Sequence, residues 1–173
     1  MKQKGNLLSI VIIVVALLVS CATTPPPPKP SCTYSTKSEK STGLVNMDVD
    51  LRWRVLGYSG LAGVDGFNVK FTNLTDKVVK IVWEQSSFVH SGVSSQMFID
   101  GQKYAEASRP MSPTIIPPRS AIVKSIFPAE QVHYYQGGWD IVPLPNTGSF
   151  SLIFCIQAEG VEDFYTTKIV LGQ

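Results

Sequence analysis

From Val45 onward, apolar and polar positions alternate without a break. Val45, Met47, Val49, Leu51, Trp53 and Val55 fall on one side, and Asn46, Asp48, Asp50, Arg52 and Arg54 on the other. A period of two sustained over this length predicts a half-buried strand. The glycine-rich stretch from Tyr58 to Gly66 predicts a loop. Phe67-Asn68-Val69-Lys70-Phe71-Thr72 alternates again, and Asn73-Leu74-Thr75-Asp76 carries turn chemistry. Lys77 to Glu84 is rich in β-branched residues and is expected to pair back as a hairpin.

The later segments are shorter. Gln96 to Ile99 runs into the turn dipeptide Asp100-Gly101. Arg109 to Pro118 is proline-rich and predicts a loop or an edge connection. Ser120 to Phe127 predicts a strand closed by Pro128. Phe150, Leu152, Phe154 and Ile156 alternate with Ser149, Ser151, Ile153 and Cys155. Tyr165, Thr167, Ile169 and Leu171 share one face of a last strand. About seven short strands, regular turns and no amphipathic helix predict an all-β fold, an antiparallel β-sandwich.

The first residues follow another pattern. Lys2 and Lys4 precede an apolar run from Leu7 to Val19. A helix spanning a bilayer takes about 20 apolar residues, so the run is short for a span and fits a secretory signal. Leu18-Val19-Ser20-Cys21 resembles the lipobox of bacterial lipoproteins. The resemblance implies a signal peptide over residues 1–20, cleavage after Ser20, and a diacylglyceryl group on the Cys21 thiol. The alternative is an uncleaved anchor with an incidental cysteine. Ala22 stands where an Asp would argue against an outer-membrane address, so the implied location is a cell envelope, on the outer membrane facing the periplasm where the source has two membranes.

Pro25 to Pro28 and Pro30 exclude helix and central strand. They predict a stiff extended stalk of roughly 3.1 Å per residue. Ser31 to Gly43 is polar and reads as a flexible linker. The expected organisation is therefore signal at 1–20, lipidated Cys21 with a linker to residue 43, and a β-sandwich domain over 44–173. The whole chain has 15 Lys+Arg and 13 Asp+Glu; losing Lys2 and Lys4 with the signal leaves 13 of each. A formally neutral chain with no basic stripe argues against nucleic acid as partner.

Phe67 to Asp76 followed by Lys77 to Trp83, together with the proline-rich Pro113 to Ser120, resembles immunoglobulin-like domains of uncharacterised bacterial lipoproteins. That resemblance implies an immunoglobulin-like sandwich and brings no activity and no site residues with it. The antibody pattern of two core cysteines around a tryptophan is missing, because Cys32 precedes the first predicted strand.

Candidate chemistry is sparse. With Cys21 taken by lipid, Cys32 and Cys155 are an even pair in an oxidising compartment, and a disulfide between them is expected. Two separate thiols, with Cys155 filling space, is the other reading. His90 and His133 are the only histidines and lack metal-ligand spacing. Gly57-Tyr58-Ser59-Gly60 lacks the second glycine of a hydrolase elbow, since Leu61 stands there. Gly60, Gly63 and Gly66 lie between strands and read as turn residues rather than a phosphate cradle. No cofactor and no metal site is expected.

The remaining feature is Gln131 to Asp140, where Tyr134, Tyr135 and Trp139 flank Gly137-Gly138. Aromatic residues on a loop held by a rigid sandwich fit a partner-binding edge. Trp139 folded back as a plug for the core is the alternative. The expected function is a membrane-anchored, non-enzymatic binding or scaffold module. An envelope hydrolase or metal-binding protein, with a site gathered only by the fold, is the second reading.

Overall fold

The computed structural model describes residues 28–55, 62–102, 110–135 and 138–172, with the side chains of Val55, Ala62 and Trp139 left out. The signal, the lipobox, Cys21 and Ser59 lie outside the described residues.

Two antiparallel sheets face each other. The first has the order β1 (Ser31–Ser38), β12 (Val161–Gly172), β11 (Gly148–Ala158), β4 (Val79–His90) and β5 (Val93–Ser95), with β7 (Thr114–Ile116) also pairing with β4. The second runs β2 (Val45–Val55), β3 (Ala62–Asn73), β8 (Ala121–Pro128), β6 (Met97–Ile99). A separate ribbon pairs β9 (Val132–Tyr135) with β10 (Gly138–Ile141). The expected sandwich is therefore present. Its strands outnumber the seven or so expected, because short edge pieces such as β5, β6 and β7 carry too few residues to show a period.

The sheet orders place β2, β3, β8 and β6 as strands A, B, E and D, and β4, β11 and β12 as C, F and G, of the immunoglobulin arrangement. Antibody domains cross-link strands B and F with a disulfide packed on a strand-C tryptophan. Here Phe71 of β3 and Phe154 of β11 meet edge-to-face at 4.9 Å, and each lies 6.3 Å from the ring of Trp83 on β4. Aromatic contact replaces the covalent bridge between the sheets. Trp83 Nε1 donates to Thr114 Oγ1 at 2.8 Å, so its one polar atom is satisfied.

The alternation in β2, β11 and β12 marks most of the core: Val45, Met47, Val49 and Leu51, then Phe150, Leu152, Phe154 and Ile156, then Tyr165, Thr167, Ile169 and Leu171 are all buried, while Cys155, expected on the opposite side of β11, is buried as well and Trp53 is only half-buried.

Three local expectations are corrected. Ser31 to Gly43 is not a free linker: Ser31–Ser38 is an edge strand zipped to β12 from Ser31–Gly172 to Ser38–Tyr165, so the domain begins well before Leu44. An edge strand needs only backbone pairing, which a polar sequence supplies without any apolar signal. Second, Gly63 and Gly66 lie inside β3 rather than in a loop. A Cβ on Gly63 would sit 2.5 Å from Pro143 Cβ, and one on Gly66 2.5 Å from the Ile126 carbonyl oxygen. They serve close approach, not turning. Third, Val79–His90 does not pair back on β3. Buried Asn73 donates through Nδ2 to the carbonyls of Lys77, Ile116 and Pro117, and this turns the chain across to the other sheet.

Candidate functional site

The sandwich has two ends. At one, Asp163 of β12 is fully buried and accepts from Ser38 Oγ at 2.5 Å, Thr42 Oγ1 at 2.5 Å and the Lys40 amide at 2.8 Å. Burial pushes its carboxyl up, but the hydrogen bonds from Ser38, Thr42 and Lys40 outweigh this and hold it below the usual carboxylate range. The Leu44 amide donates to Tyr165 Oη at 2.9 Å. These contacts fix the β1–β2 connection, where Ser41 and Gly43 adopt positive φ.

The other end carries the ribbon. Val132, His133, Tyr134 and Tyr135 stand opposite Ile141, Asp140, Trp139 and Gly138. Tyr134 is 54 % exposed and Tyr135 68 %. The expected loop is thus a hairpin, and its two tyrosines face outward; the side chain of Trp139 lies outside the described residues. Period-two alternation could not reveal these strands, because they are only four residues long.

The root of the ribbon is clamped. The Val142 amide donates to the Gln131 carbonyl at 2.9 Å and the Leu144 amide to the Val64 carbonyl at 2.7 Å. Pro143 rests on Gly63. Arg54 Nη2 donates to the Ile141 carbonyl at 3.2 Å and lies 4.0 Å from Asp140. Arg54 is itself oriented by Asp65, the extra residue of a bulge: Arg52 pairs with Gly66 and Trp53 with Val64, leaving Asp65 between them. Its carboxylate is buried between Arg52 Nε at 3.4 Å and Arg54 Nε at 3.6 Å. The Arg52 guanidinium also lies 4.7 Å from the Phe127 ring centroid. The alternation puts Arg52 and Arg54 on the polar side of β2, and the bulge in β3 sets a buried acid between them.

Cys32 and Cys155 are separate thiols, which corrects the expected disulfide. Cys32 pairs with Leu171 near one end of β12, whereas Cys155 pairs with Phe164 near the other. Seven residues of strand separate those positions, roughly 23 Å at about 3.3 Å per residue. A disulfide needs Cα atoms within about 7 Å. Cys155 sits at the bulge where the β11–β4 register shifts, its amide bonded to Ser86 Oγ at 3.1 Å and its thiol to Gln85 Oε1 at 3.0 Å. Burial, then the charge and hydrogen bonding of Glu162, push its pKa up to about 11. Burial, then Asp50, raise that of Cys32 as well.

His90 ends β4 with its ring 4.8 Å from that of Phe150, while His133 lies on the ribbon opposite Asp140. Among the described residues no group of three or more His, Cys, Asp or Glu could hold a metal ion. No helix among the described residues is long and apolar enough to cross a membrane. Among the described residues, an open surface hollow of about 420 Å³ lies beside Trp83, Ile99 and Met111. The chain matches no family model and no curated protein.

Proposed function

We propose that this chain is a lipid-anchored module of a bacterial cell envelope that works by binding, through the β9–β10 ribbon, rather than by catalysis. The carrying observation is the ribbon itself: a hairpin rooted on a rigid sandwich, with Tyr134 and Tyr135 turned outward. Large amphipathic rings on a fixed frame give contact area at low entropic cost. Anchoring rests on Leu18-Val19-Ser20-Cys21, and Ala22 supports an outer-membrane address in a source with two membranes. Two or more acyl chains make such attachment stable without a spanning helix.

The anchor is tested by fatty-acid labelling in a bacterial host. Wild type should incorporate label and Cys21→Ala should not; equal labelling would remove the anchor. The ribbon is tested with a photo-crosslinking amino acid in place of Tyr135, compared with the same group in place of Glu159 at the opposite end. Adducts in living cells should form at Tyr135 and not at Glu159. Equal yields at both positions would remove the ribbon as binding element.

A further inference from the structure

The position of the ribbon relative to the start of the domain defines what it can reach. Ser31, the first residue of β1, pairs with Gly172, and Gly148, the first of β11, pairs with Leu171. The β4–β5 turn lies at this same end, since His90 pairs with both Phe150 and Val93. The two sheets are in line there: Phe67 of β3 lies 6.2 Å from Phe88 of β4, which stacks on Phe150 at 5.8 Å. The ribbon is rooted on Val64 and Arg54, beyond Phe67 at the same end. The Asp163 cluster and the Glu159–Gly160 turn are at the other. The start of β1, from which the sequence leads back to Cys21, and the root of the ribbon therefore lie at one end of the sandwich.

The tether is short. Ser31 is ten positions after Cys21, with nine residues between them. At about 3.1 Å per residue for a proline-rich stalk that stretch reaches roughly 30 Å. Pro30 is already buried on the domain, which shortens the free part. Each four-residue arm of the ribbon is about 13 Å long at about 3.3 Å per residue. A tether of that length holds the ribbon's end of the domain within roughly 30 Å of the headgroup layer. Tyrosine suits that layer, its ring resting among the acyl boundary and its hydroxyl in water.

We infer that the ribbon contacts the lipid surface to which Cys21 is tethered, so that the domain sits with this end against the bilayer. The inference rests on the anchor proposed above. The mature chain has equal numbers of acidic and basic residues, so the contact runs through the rings and needs no anionic lipid.

The test uses the full lipidated chain carrying His133→Cys, labelled with an environment-sensitive nitrobenzoxadiazole, in a Cys32→Ser background. The Cys21 thiol is blocked by lipid, and the buried Cys155 thiol, with its pKa near 11, stays unlabelled. The second labelled protein carries Glu159→Cys. On phosphatidylcholine vesicles, emission at position 133 should shift to the blue and lose quenching by dissolved iodide, while position 159 stays wet. Adding Tyr134→Ser and Tyr135→Ser should abolish the shift with flotation intact. Failure to float with vesicles would remove the anchor and the inference with it. Flotation with position 133 fully quenched would overturn the lipid contact alone. A shift that appears only when periplasmic extract is added would also overturn it, giving the ribbon to a protein.

Discussion

The two ends of this sandwich use buried acids in opposite ways. Asp163 accepts short hydrogen bonds from hydroxyls and an amide, all neutral groups of the β1–β2 connection. Asp65 faces two guanidinium groups at 3.4 and 3.6 Å, and both arginines are about one-third exposed. Charge-assisted bonds of good geometry run at about 2.7–2.9 Å. The first end is therefore locked by local geometry. The second is held by a longer attraction between a buried carboxylate and two part-exposed guanidinium groups, and it carries the element proposed to bind. A carboxylate tied to backbone and hydroxyls fixes a loop; one between two arginines positions a lever while letting it yield.

The largest expected break in this contrast is Asp163→Ala. It strands the donors of Ser38, Thr42 and Lys40 in a part-buried site, at a cost of about 3 kcal/mol. Urea unfolding should show a lower midpoint with an unchanged slope. The pH dependence sharpens the same point. The folded carboxyl lies below its unfolded value of about 3.9. Its contribution is thus complete above that unfolded value and is lost as pH falls through the folded one. Asp163→Asn should flatten the acid limb of the stability profile below about pH 4; an unchanged limb would reject the assignment.

Asp65→Ala should cost less, about 1 kcal/mol, because Arg52 and Arg54 can turn to solvent. Its signature should be local. Amide exchange in residues 132–135 should quicken while the core of β11 keeps its protection. Uniform acceleration would mean that Asp65 supports the whole domain rather than the ribbon root.

The smallest effect concerns Cys155, whose surroundings lie toward the Asp163 end. Its thiol pKa of about 11 leaves little thiolate at neutral pH. Iodoacetamide at pH 7.5 should leave Cys155 unmodified in the folded protein and alkylate it rapidly in denaturant. Peptide mapping without reduction should recover Cys32 and Cys155 unlinked; a Cys32–Cys155 peptide would overturn the strand register.

Alternation by itself determined β2, the core faces of β11 and β12, and the sandwich class, because burial of one sheet face writes a period of two into any strand long enough to show it. Sequence also isolated Tyr134, Tyr135 and Trp139 as an aromatic group outside that periodicity. It could not show β1, whose pairing is backbone-to-backbone, nor that Gly63 and Gly66 allow close approach rather than turns. It could not place Val79–His90 in the opposite sheet, since a hairpin and a crossover leave the same apolar pattern. Nor could it separate Cys32 from Cys155, or seat Asp65 between Arg52 and Arg54. Those outcomes depend on register, a single bulge and the distance between strands remote in the chain, and only the folded sheets set them.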